Sequence, residues 1–226
     1  TLLAPPADEE PVLVRDGERL ATVKRARAER AQAYFSRNAS EWDELRRLQV
    51  SDSAVEKALL RVIGTAPVDS LLDLGTGTGW ILQLLAPVYR RAVGIDASRD
   101  MLSVARANLD KADILKASVR HGDILNLPVE GQDFDLVTIH QVLHFLDQPE
   151  LAIAEAARVL RPGGRLLIVD LAPHELEYLR DEHAHVRLGF SHKIVADWLE
   201  QVGLEVQEVL DLASAEKQGP SLAATV

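Results

Sequence analysis

Cysteine is absent from this chain of 226 residues. That absence removes disulfides, thiolate metal sites and cysteine nucleophiles together, and it makes a cytoplasmic location the expectation. Aromatic residues are scarce, at 4%, in a chain that is 47% hydrophobic. A full core is available, but it must be built from Leu, Val, Ile and Ala. No apolar run approaches the roughly 20 residues needed to span a bilayer, and no signal-peptide pattern opens the chain, so no membrane partner is expected. Basic residues are outnumbered 25 to 35, and the net charge of −10 argues against a nucleic-acid surface on this segment. The first residue is Thr1 rather than Met, which suggests a fragment or a processed chain.

What is present divides into an arm and a domain. Residues 1–18, centred on Ala4-Pro5-Pro6-Ala7, read as an irregular exposed linker. Arg19 to Arg37 is rich in Ala and Arg, good helix formers without a wide apolar stripe. This locally basic helix packs on a partner or a neighbouring domain, a second copy of the chain included, or else it is a solvated connector. Tyr34, Phe35, Trp42, Leu45 and Leu48 then supply core or lid. Residues 1–50 are therefore assigned to linker and arm, and 51–226 to one domain.

Within that domain helices and strands alternate. Ser51 to Ile63 is a helix stopped at Gly64, followed by a strand over residues 70–75 and a helix from Trp80 to Ala86. Arg91 to Asp96, Ser118 to His121, Phe134 to His140, Arg165 to Asp170 and Leu204 to Leu210 read as further strands. Asp100 to Leu109, Glu150 to Leu160, His174 to Leu188 and His192 to Val202 read as helices, the last N-capped by Ser191. Such alternation specifies an α/β fold, a doubly wound and mainly parallel sheet.

The stretch Asp73-Leu74-Gly75-Thr76-Gly77-Thr78-Gly79 closes the first strand. Its glycines allow a sharp turn and leave backbone N–H groups uncovered beside a ligand, as in the nucleotide half-site of doubly wound sheets. Two observations exclude a dinucleotide. The third glycine comes one residue too early for Gly-x-Gly-x-x-Gly. Asp73 also stands where its charge would repel a pyrophosphate and attract a cationic amino-acid end. A P-loop is excluded because no Gly-Lys-Ser/Thr follows. Asp96 ends the second strand within reach of ribose hydroxyls, and Asp123 ends the third, placed to accept from an adenine amine. Three carboxylates so disposed describe S-adenosylmethionine better than a phosphate-bearing cofactor.

Taken with Gly94-Ile95-Asp96-Ala97-Ser98, Gly122-Asp123-Ile124-Leu125-Asn126-Leu127-Pro128 and Leu160-Arg161-Pro162-Gly163-Gly164, the glycine stretch resembles the class I S-adenosylmethionine-dependent methyltransferases. The nearest subgroup is the small-molecule type similar to quinone-biosynthesis enzymes. The resemblance implies a Rossmann-like sheet of seven strands with an antiparallel last strand. For that strand only Ser221 to Val226 remains, which suggests a shortened C-terminus. It also implies that Asp73, Gly75, Thr76, Gly77 and Gly79 hold the methionine end of the donor. Asp96 with Ala97 would hold the ribose, Met101 the adenine face, and Gly122, Asp123 and Ile124 the adenine edge. A second resemblance runs from Ala33 to Asp43, similar to the joint between an arsenic-repressor-type winged helix and a methyltransferase in fused regulators. A regulator of that kind would reach DNA through an upstream domain that this segment lacks.

For the acceptor, His140 lies at the carboxyl edge of its strand, near the donor, as a base, an acceptor-positioning group or part of the cofactor shell. His144, one turn further on, is the second candidate. No Asn/Asp-Pro-Pro-Tyr/Phe sequence for amino acceptors is present, no magnesium aspartate set is recognisable, and the missing cysteines exclude arsenite. A small carbon or oxygen acceptor is left. His174, His183, His185 and His192 fall over the acceptor region; a metal is not expected, because His183 and His185 would point apart on a helix. Methyl transfer is thus the primary expectation, and donor sensing in a transcriptional regulator is the alternative.

Overall fold

A computed structural model describes residues 10–42, 52–64, 67–129, 131–212 and 222–225. Five parallel strands form its frame: β1 (Val68–Leu74), β2 (Tyr89–Asp96), β3 (Ala117–His121), β4 (Phe134–His140) and β5 (Leu160–Leu171). They lie in the order β3-β2-β1-β4-β5, and each neighbouring pair is parallel. The chain winds outward from β1 to β3 and then returns to lay β4 on the other side of β1. A crevice therefore opens beyond the carboxyl ends of β1 and β4, where the strand order reverses. Two short strands, β6 (Val209–Leu212) and β7 (Leu222–Thr225), continue the β5 edge in antiparallel pairing, β7 on β5 and β6 on β7.

The helices are α1 (Glu10–Asn38), α2 (Asp52–Ile63), α3 (Trp80–Leu84), α4 (Arg99–Lys111), α5 (Pro149–Val159), α6 (Tyr178–Glu182) and α7 (His192–Gln201). None of the described helices is long and apolar enough to cross a membrane. Alternation along the strands divides the core into two layers. Leu71, Leu136, Leu167 and Val169 pack with Leu59, Leu82, Leu102 and Leu109 on one face. Leu72, Leu74, Val137, Ile139 and Ile168 pack with Ile153, Ala156, Val195 and Leu199 on the other. The core is aliphatic, as the composition requires; its largest fully buried side chains are Leu, Ile and Met101. Truncating one such Leu to Ala would cost about 2–5 kcal/mol.

Three stretches depart from their sequence reading. Helix α1 begins at Glu10 rather than near Arg19, so part of the supposed linker is helical. Pro11 sits in the first turn, where its missing N–H breaks no hydrogen bond. Leu45 and Leu48 lie outside the described residues. The helix expected over His174–Leu188 shrinks to α6. Beyond it the amides of Val186 and Arg187 donate to the His144 carbonyl and Ala184 takes a φ of 58°. Here the chain wraps the loop after β4 instead of coiling. The strand expected over Leu204–Leu210 starts only at Val209, because the ladder runs where β7 lies opposite, from Val209↔Thr225 to Leu212↔Leu222. Ser191 does cap α7, accepting from the Ile194 amide.

Candidate active site

β1 runs into a turn in which Gly75, Gly77 and Gly79 all have positive φ, 69°, 52° and 78°. At Gly75 space is decisive as well, since a Cβ there would lie 2.4 Å from Cγ2 of Val142. Gly94 on β2 makes room on the other side, where a Cβ would meet Thr76 Oγ1 at 2.5 Å. The turn is thus pressed between β2 and the loop after β4. Its amides are not left uncovered, contrary to the sequence expectation. Those of Gly75 and Thr76 donate to the Ile95 carbonyl and that of Gly79 to the Thr76 carbonyl. The Gly77 amide donates to Asp96 Oδ2 at 2.8 Å. A turn whose donors are satisfied internally offers no cradle to a phosphate.

Asp73 faces Thr138 across the β1–β4 register, and the Thr138 hydroxyl donates to its Oδ1 at 2.7 Å. Its Oδ2 is buried and makes no hydrogen bond of standard geometry with a described residue. Burial pushes the carboxyl up to about 7; the Thr138 and Thr76 hydroxyls pull it down, and the charge of Asp96 adds to the rise. A cation at Oδ2 would supply the missing partner and relieve the raised pKa together. Asp96 accepts from the amides of Gly77 and Ser98, each at 2.8 Å, which fixes it at the end of β2. Burial raises its pKa while these amides lower it. Each oxygen keeps accepting capacity for a further donor, which is what paired hydroxyls need. Asp123 Oδ1 accepts from the Leu125 amide at 2.9 Å, and this local turn holds it at the rim.

Asp73, Gly75, Thr76, Gly77, Asp96, Ala97, Met101, Gly122, Asp123, Ile124 and His140 all line one cavity of about 630 Å³. That volume suits a small-molecule site. Gly79 does not line it; it is the left-handed N-cap of α3, beside Ala105. His140 ends β4 with its ring on Trp80, centroids 5.1 Å apart.

His144 corrects the sequence reading. It does not line the cavity, and only 1% of it is exposed. Its Nδ1 lies 2.7 Å from Asp170 Oδ1, while Asp170 Oδ2 accepts the amides of Val142 and Leu143. The 3-10 turn Leu143–Phe145 swings the ring inward, so His144 fastens the loop rather than facing a substrate. His183 and His185 follow α6 instead of sharing a helix. His183 Nδ1 is 2.7 Å from the Tyr34 hydroxyl. His185 packs on the His144 ring at 4.3 Å, and burial holds its pKa far down. Among the described residues no cluster of three or more His, Asp or Glu could hold a metal.

Several lining residues escaped the sequence reading. Lys24, Arg27 and Ala31 of α1 face the cavity together with Gln141, Val142 and Phe145, and Phe35 and Trp42, expected as core or lid, line it too. The spacing of the four α1 residues marks one helical face, a signal that could have been found. Thr138, a lone hydroxyl in the apolar β4, was another. Gln141, at a φ of 55°, carries no such signal.

Residues 72–168 match the family model of a methyltransferase domain. The chain is 32% identical over 178 residues to the malonyl-(acyl-carrier protein) O-methyltransferase of Hahella chejuensis, covering 75% of this chain and 62% of that protein. To the demethylmenaquinone methyltransferase of Clavibacter sepedonicus it is 32% identical over 130 residues, 58% of this chain and 52% of that one. A solved S-adenosylmethionine-dependent methyltransferase from Aquifex aeolicus shares the fold, with a TM-score of 0.66 and 22% identity over 84% of this chain and 96% of the other. The chain spans between 28% and 62% of the length of the first curated relatives it matches.

Proposed function

We propose that this chain, whose residues 72–168 match the family model of a methyltransferase domain, transfers a methyl group from S-adenosylmethionine to a carbon or oxygen atom of a small molecule. When bound, the donor supplies an electrophilic methyl on a sulfonium. The observation that carries this reading is Asp73, a buried carboxyl raised to about 7 whose Oδ2 makes no hydrogen bond of standard geometry with a described residue. It adjoins a turn whose amides are already engaged. Such a site rejects a pyrophosphate and accepts an ammonium. Asp96 suits the ribose hydroxyls, Met101 suits the adenine face, and Asp123 with Ile124 suits the adenine edge.

The chain's own contribution is to align an acceptor and exclude water. His140, at the end of β4 on the cavity wall, suits orientation of the acceptor or removal of its proton. Similarity to a demethylmenaquinone methyltransferase supports the quinone-biosynthesis-like subgroup. The same reading takes β6 and β7 as the last two of the family's seven strands. No observation in the fold or the similar proteins supports the alternative of a donor-sensing regulator module.

Two measurements test this. Calorimetry with S-adenosylhomocysteine should find Asp96→Ala weaker by about 1–3 kcal/mol, through lost hydrogen bonds at the ribose; unchanged affinity would refute that placement. Incubation with methyl-labelled donor and small-molecule extracts should label a product. Tight binding without transfer to any acceptor would sink the enzyme reading.

A further inference from the structure

A second group of residues lining the cavity has its own charge and shape. Lys24 Nζ lies 3.0 Å from the neutral amide oxygen of Gln148, and no ion pair joins it to a described residue. Arg27 Nη1 lies 2.8 Å from Asp147 Oδ1. Lys24, Arg27, Asp147 and Gln148 all line the cavity. This rim therefore sets two cations against one carboxylate, in a chain whose net charge is −10. The donor end is opposite in sign, with Asp73, Asp96 and Asp123. The same cavity is lined by Phe35, Trp42 and Phe145, in edge contact at centroid distances of 5.3 Å (Phe35–Trp42) and 4.8 Å (Phe35–Phe145). A chain with few aromatics has gathered three of them on one wall of one cavity.

We infer that the acceptor is a flat, largely apolar acid whose ring system lies against Phe35, Trp42 and Phe145 and whose carboxylate pairs with Lys24. This rests on the methyl-transfer reading and narrows it to a substrate class. Lys24 would exchange a neutral amide for a carboxylate, turning a hydrogen bond into an ion pair. Arg27, already neutralised by Asp147, adds a second donor without a second unpaired charge. An amine acceptor would meet the unpaired charge of Lys24 and be repelled. A neutral ring would fill the aromatic wall but leave Lys24 on its amide. Because Lys24 is part-exposed, the preference is modest and falls with ionic strength.

The test uses the full chain and a matched pair of probes, 2-naphthoate and 2-naphthamide, which differ in charge and little in shape. Binding of S-adenosylhomocysteine is measured first, so its absence counts against the donor assignment and not against this inference. With that product in place, the wild type should bind naphthoate about two- to fivefold more tightly than naphthamide, the gap shrinking in salt. Lys24→Gln should abolish the gap by weakening naphthoate alone. Phe35→Ala should weaken both probes alike. Equal binding of the two by the wild type, a gap that survives Lys24→Gln, or failure of both probes to bind would each overturn the inference.

Discussion

The two ends of the cavity are built by different means. At the donor end the main chain does the positioning: β1 and β2 stop side by side, and the glycine turn is hydrogen-bonded to the Ile95 carbonyl and to Asp96. At the acceptor end the positioning comes from side chains far apart in sequence. Arg27 reaches Asp147 across 120 residues, and the Tyr34 hydroxyl meets His183 across 149. The first end is fixed once the sheet forms. The second depends on how one long helix lies across it, so it is the end where specificity can vary while the fold stays the same.

The sharpest way to break this contrast is at Gly75. A Cβ there would lie 2.4 Å from Val142 Cγ2 at a φ of 69°, and Val142 cannot retreat freely because its amide is held by Asp170. Gly75→Ala should lose about 2–5 kcal/mol of stability, from left-handed strain plus overpacking. It should also lose S-adenosylhomocysteine binding. Thermal unfolding and calorimetry would show both; a variant of ordinary stability and affinity would mean that the turn is not the rigid element described.

Asp73→Asn comes next, since it keeps the shape and removes the charge. Product affinity should fall by about 10- to 150-fold, the range for a lost hydrogen bond to a charged group. The pH profile is more telling than the loss. The carboxyl stands at about 7 in the fold against an ordinary 3.8, so the folded, ligand-free chain holds this proton more tightly than the unfolded one. Its stability contribution is full below pH 4 and falls as pH rises towards 7. An ammonium at Oδ2 lowers the pKa again, so binding releases a proton and affinity climbs towards pH 7, by at most about tenfold per unit. Both slopes should flatten in Asp73→Asn. Calorimetry in buffers of differing ionisation enthalpy would count the released proton.

These contrasts also explain what the sequence disclosed. The donor end was legible because strand ends and glycines are local features: Asp73 and Asp96 each follow an apolar run, and Asp123 follows Gly122 just past a short strand. The parallel sheet was legible for the same reason. The acceptor end was not, because nothing local says that Lys24 and Phe35 meet Phe145 and Gln148. His144 illustrates the limit: its spacing from His140 suggested a second group at the substrate, and only the pairing with Asp170 shows it turned into the protein. His174 to Leu188 looked helical by composition, yet the amides of Val186 and Arg187 found a better acceptor in another loop. Sequence also made the three turn glycines look equivalent.

They are not equivalent, and the smallest predicted effect follows from ranking them. Gly77 shares the left-handed φ, at 52°, but among the described residues a Cβ there would meet only the Trp42 ring, Nε1 at 3.7 Å and Cδ1 at 4.0 Å, both ordinary contacts. Gly77→Ala should therefore cost only the left-handed strain, about 1–2 kcal/mol, with no overpacking beside it. The contact makes the variant informative, because Gly77 belongs to the donor turn and Trp42 to the aromatic wall. If the two ends are independent, thermal stability should drop slightly while the affinity ratio of an acidic and a neutral acceptor probe stays at its wild-type value. A changed ratio would show that Trp42 passes the position of the donor turn on to the acceptor wall, and the division between the two ends would have to be given up.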